Sequence, residues 1–190
     1  MNDKLLQQAI ALFDTQEKWD AFLELCSIKD TIRDKWLNAL MEKIRQLFDS
    51  IADTGKWQYM NDKGMPRIFP SQLSNDHHMD IRINLWDMRG YLCIKKEMYN
   101  SEAARKMVQN NPKIMPLLNG FEYYNEWDIY NKPFATDICE SSRDSSCYLW
   151  GHDTERVANA IFETYLHPFM TDEIADFFVQ VCNETKKDEQ

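Results

Sequence analysis

The sequence predicts an α+β fold, with an antiparallel sheet of about four to six strands packed against N-terminal and C-terminal helices. Apolar residues recur at helical spacing near both ends of the chain and alternate with polar ones in its middle. Five Gly and six Pro in 190 residues also leave little room for long irregular connections. A chain of this length suits one compact domain, which buries roughly 70% of its unfolded surface and folds without staples.

Residues 1–54 read as helical. Asp14 with Glu17 three residues later has the spacing of a capping box. Trp19, Phe22, Leu23 and Cys26 then give one apolar face. Ser27 is placed to start a second helix, with Asp30 near its positive end. From Ile28 through Trp36, Leu40, Ile44 and Phe48 to Ile51, an apolar stripe continues for about six turns at 3.6 residues per turn. Gly55 closes this part.

Residues 55–150 form the sheet region. Trp57 and Tyr59 alternate, Asn-Asp-Lys-Gly at 61–64 supplies a turn, and Arg67-Ile68-Phe69 resumes an extended run after Pro66. A polar loop is expected over 71–78. Ile81, Ile83 and Leu85 alternate strictly with polar residues, so 80–97 reads as a hairpin with Met88-Arg89 at its turn. In that register Leu85 faces Leu92 and Ile83 faces Ile94 on the buried side. Asp80 lies diagonal to Lys95, and Arg82 diagonal to Glu97, on the polar side. Ser101 can cap a helix, Pro112 and Pro116 limit the next one, and Trp127 with Ile129 suggests a strand. Tyr148-Leu149-Trp150 suggests a further short strand. Residues 151–184 are helical, with Asp153 and Thr171 as caps and Pro168 as a stop, and 185–190 form a polar, frayed tail.

The chemistry of the 80–97 hairpin admits two accounts. Two diagonals of opposite charge explain its polar face as structure. The layout also resembles the PD-(D/E)xK nucleases, whose acids on adjacent strands hold a divalent metal while a lysine activates water. Asp80 and Lys95 match the first and last members of that motif. Cys93 stands where the middle acid belongs, leaving Glu97 as the second carboxylate of a degenerate or cryptic site. His152-Asp153 resembles the doublet of HD-type phosphohydrolases, but Gly151 and Asp153 read more simply as a helix start. His77 and His78 fall in the polar loop, and His167 suits a helix C-terminus. No nucleophile elbow and no phosphate-binding glycine loop is present. The reading therefore assigns no catalytic residue, no metal and no cofactor.

A formal charge of −9, from 22 basic and 31 acidic residues, repels nucleic acid over most of the surface. The run Phe-Glu-Tyr-Tyr-Asn-Glu-Trp-Asp-Ile-Tyr at 121–130 interleaves aromatic anchors with acids, which suits a basic protein partner better than a nucleic acid. Glu122, Tyr124, Glu126, Asp128 and Tyr130 are the expected partner-binding residues, with Trp127 and Ile129 turned inward. Five cysteines, odd in number, widely spaced and without a Cys-x-x-Cys, fit reduced thiols in a reducing cytoplasm. No signal peptide is indicated, and no window reaches the roughly 18 apolar residues of a membrane span. The expectation is an acidic cytoplasmic module, of an inhibitor or immunity type, that binds a basic protein and is not an enzyme.

Overall fold

The computed structural model describes residues 3–51, 55–62, 64–73, 79–125 and 129–187. Among these, the chain forms six α-helices and a six-stranded antiparallel sheet, the α+β architecture that the change of period predicts. Its contacts group into two units, Met1–Lys35 and Trp36–Gln190.

The first unit holds helix α1 (Asp3–Leu12) and the start of helix α2 (Gln16–Ser50). Thr15, rather than Asp14, caps α2: the Lys18 amide donates to its hydroxyl at 3.3 Å, while the Asp14 carboxylate pairs with the Lys18 ammonium at 2.5 Å. The expected second start at Ser27 does not occur. Neither Gly nor Pro interrupts 16–50, and the Ser27 hydroxyl donates to the Glu24 carbonyl at 2.7 Å, a bond that a serine inside a helix makes readily. Phe13, Trp19 and Phe22 cluster with ring centroids 4.7–5.6 Å apart. The expected apolar face is not buried, however. Trp19 and Leu23 are 42% and 48% exposed, and Cys26 is exposed too.

In the second unit, α2 buries Leu37, Leu40, Met41, Ile44 and Phe48. The sheet runs in the order β1 (Trp57–Asp62), β2 (Met65–Pro70), β3 (Met79–Asn84), β4 (Arg89–Ile94), β6 (Tyr130–Pro133), β5 (Glu122–Tyr123). Gly64 takes the left-handed conformation, φ 83°, that closes the β1–β2 turn, and its amide donates to Asn61 Oδ1 at 3.1 Å. One face of the sheet carries Ile68, Met79, Ile81, Ile83, Leu92 and Ile94, all buried in the main core.

Helix α3 (Ser101–Asn110) is capped one residue earlier than expected, by Asn100, whose side chain accepts from the Ala103 amide. The expected strand at Tyr148-Leu149-Trp150 is instead part of helix α4 (Arg143–His152), capped by Ser142. The aromatic run misleads because Cys147 and Trp150 are the buried pair, three residues apart, and the Trp150 indole donates to the Ile138 carbonyl at 2.7 Å. Helix α5 (Thr154–Ile161) follows. Asp153 occupies its cap position but pairs with Arg156 rather than with a helix amide. A π-helical turn (Phe162–Leu166) and a 3-10 turn (His167–Phe169) lead to helix α6 (Asp172–Thr185), capped by Thr171 as expected. Tyr165 lies directly against Gly90 of β4, where a Cβ would collide with its ring.

Candidate functional site

The hairpin of β3 and β4 places Asp80 on the sheet face opposite the main core. Its observed register pairs Met79 with Ile94, Asp80 with Cys93, Ile81 with Leu92, Ile83 with Gly90 and Asn84 with Arg89. The expected pairs, Leu85–Leu92 and Ile83–Ile94, are therefore displaced, because the connection is the four-residue turn Leu85–Met88 rather than Met88-Arg89. Asn84 sets this turn: its side-chain oxygen accepts from the amides of Trp86 at 2.8 Å and Asp87 at 3.2 Å. Met88 completes it with a positive φ of 55°. Each residue's partner moves by four positions, an even step, so every side chain keeps its predicted face. Ile81, Ile83, Leu85, Leu92 and Ile94 are all buried.

The ion pairs do change. Asp80 is 1% exposed, and its carboxylate accepts from Arg82 Nη2 at 3.0 Å and Arg67 Nη1 at 3.4 Å. Arg82, expected beside Glu97, thus pairs with Asp80. Arg67 also lies 3.8 Å from Asp62 and stacks over Phe69 at 5.6 Å. Lys95 falls just past the end of β4, and Glu97 sits in the turn beyond it, so neither lies on a strand with Asp80. Burying a carboxylate is tolerable only with such partners, and two guanidiniums meet that need here. Cys182, on α6, lies close enough to feel Asp80. Burial, with a smaller push from that carboxylate, raises its thiol to about 11.

The same face extends outward as a polar network. Arg89 bonds Asn131 of β6, and the Tyr91 hydroxyl donates to Asp87 at 3.1 Å. The Tyr91 ring meets Tyr124 edge-on at 6.2 Å. Sequence reasoning missed Arg67, Asn84, Asp87 and Asn131. Arg67 did carry a signal, since a charge inside the apolar run Ile68-Phe69 has to find an opposite charge elsewhere in the sheet.

At the other end of the network lies β5, one of the sheet's two edge strands. β5 pairs Glu122 with Asn131 and Tyr123 with Tyr130, and the Tyr124 amide donates to the Ile129 carbonyl. Glu122 is exposed, and Tyr123 and Tyr124 are 52% and 55% exposed. Tyr130, expected to face outward, is buried together with Ile129, because β6 runs between β4 and β5 rather than along the edge. Glu126, Trp127 and Asp128 lie outside the described residues. Beside β5, a cleft of about 190 Å³ is lined by Ser101, Glu102, Arg105, Tyr123 and Asn125. The Arg105 guanidinium lies over the Tyr123 ring at 4.8 Å.

The histidines stand apart from these features. His152 ends α4, with its ring 4.2 Å from that of Tyr148 and 5.6 Å from that of Trp36. His167 Nδ1 lies 2.8 Å from Glu163. His77 and His78 lie outside the described residues. Among the described residues, no three His, Cys, Asp or Glu side chains gather as a metal would require. None of the five cysteines forms a disulfide: Cys26 is exposed, Cys139 half-buried, and Cys93, Cys147 and Cys182 buried. The Cys139 thiol is raised, first by burial and then by Glu140 and Asp137.

No protein family, no curated protein and no solved structure matches the chain.

Proposed function

We propose that the protein is a non-enzymatic binding module of the reducing cytoplasm, and that the β5–β6 edge engages a protein partner with a basic surface. One observation carries this reading. Two tyrosines more than half exposed, Tyr123 at the end of the edge strand β5 and Tyr124 just past it, lie beside the exposed Glu122. Exposed aromatics serve as anchors in interfaces, and an acidic neighbour adds attraction for cations. The chain's net charge of −9 favours the same class of partner over long range. No described helix is long and apolar enough to cross a membrane. An inhibitor or immunity role follows if the bound partner is itself an active basic protein.

A photo-crosslinking residue in place of Tyr124, introduced in the native cells, tests this reading. The expected result is one dominant crosslinked protein of basic character, captured less as salt rises and lost with Glu122→Lys. Crosslinks that ignore both salt and Glu122→Lys, or that form to nucleic acid, would overturn it.

A further inference from the structure

Seven of the twelve large hydrophobic side chains exposed among the described residues lie between Ile10 and Ile28, inside the first unit. Among the described side chains of residues 4–35, none is buried. Trp19, Phe22, Leu23 and Cys26 recur at helical spacing and form one stripe along α2. An apolar stripe of this kind on an amphipathic helix marks an interaction surface.

Charge points to what covers it. Residues 1–35 carry seven acids and five bases, a net −2 of the chain's −9. Within α2 the charge is also polar along the helix. Glu17, Asp20 and Glu24 against Lys18 give −2 over 16–25, and Lys29, Arg33 and Lys35 against Asp30 and Asp34 give +1 over 26–35. Two such segments laid antiparallel set acid-rich halves against base-rich halves, whereas a parallel pair sets like on like. Antiparallel pairing is isologous, so one patch serves both copies. Its two-fold axis falls near the middle of 16–35, beside Cys26.

We infer that this stripe is a homodimer interface, in which residues 16–35 of α2 pair antiparallel with the same segment of a second copy. The full chain tests this by sedimentation equilibrium between about 1 and 100 μM in about 50 mM salt, where screening is weak. The expected mass at the upper end is twice 22.6 kDa. A short bismaleimide should join the two Cys26 thiols, Cys26 being the one exposed cysteine of the five, and Cys26→Ser should abolish the link. Trp19→Glu with Leu23→Glu should give a monomer with unchanged far-ultraviolet circular dichroism. Glu24→Lys alone should weaken the dimer about tenfold, a shift of about 1.4 kcal/mol, and adding Lys29→Glu should restore it. A chain that stays monomeric at 100 μM overturns the proposal and leaves the stripe to a different partner. A dimer that Lys29→Glu fails to rescue overturns the antiparallel pairing.

Discussion

The β3–β4 hairpin and the first half of α2 both carry regular apolar patterns, yet their fates differ. Along the hairpin, Met79, Ile81, Ile83, Leu92 and Ile94 are buried on one face, and Asp80, Tyr91 and Cys93 on the other. Along residues 16–35 of α2, Trp19, Phe22 and Leu23 follow helical spacing just as regularly and remain exposed. Periodicity therefore specifies which side chains share a face. Whether that face is covered depends on what the rest of the chain brings to it, and only the hairpin has sheet neighbours on both sides.

The contrast breaks or sharpens under substitution. The largest effect belongs to Ile81→Ala in the hairpin, where a fully buried side chain leaves a cavity and costs about 2–5 kcal/mol in urea unfolding. A cost under about 1 kcal/mol would mean that the sheet core collapses around the gap and that the hairpin is less constrained than its burial implies. Next comes Asp80→Ala, expected to cost about 3 kcal/mol, because it removes the buried carboxylate that two guanidiniums share, although Arg67 keeps its 3.8 Å contact with Asp62. The Arg82 side chain is 25% exposed and recovers part of its hydration, which keeps the loss from being larger. Replacing Arg67 and Arg82 by Met together with Asp80→Leu should restore most of that stability. Failure to do so would assign the network a role beyond neutralising charge. The smallest effect is expected from Leu23→Ala on α2, within about 0.5 kcal/mol when the chain is dilute enough to be monomeric. A loss above about 2 kcal/mol there would show that the stripe is covered within a single chain, and the contrast would fail.

The faces of the sheet were legible because strand alternation survives any even change of register. The register itself was not, since nothing in Ile81-Arg82-Ile83 favours one even offset over another. It was fixed by Asn84, whose carboxamide commits the chain to a four-residue turn. The buried ion pairs moved with it, so Asp80 found Arg82 and Arg67 instead of neighbours from the far end of the hairpin. Helix boundaries failed where two residues competed for one role. Ser27 and Ser101 are good caps by type, but a continuing helix absorbed the first and Asn100 pre-empted the second. Thr171 had no rival and was placed correctly. At the aromatic run, Tyr124 emerged exposed as expected, whereas Tyr130 did not. β6 lies inside the sheet, and the strand order that puts it there depends on pairings that no local pattern reveals.

The position of α6 carries a consequence for how the chain is made. This helix packs on β2 and β3, sets Phe178 against Trp57 at 5.5 Å, and ties Asp176 to Lys56 at 2.5 Å across 120 residues of sequence. The Trp57 indole also donates to the carbonyl of Thr171, the cap of α6, at 3.0 Å. Strands β1 to β4 therefore leave the ribosome well before the element that roofs them. During that interval Ile68 and Ile81 face solvent or each other, and the sheet cannot lock until residues 172–185 have emerged. Closure of the sheet thus waits for α6, and the nascent chain depends on reaching that helix before its uncovered strands meet those of another chain.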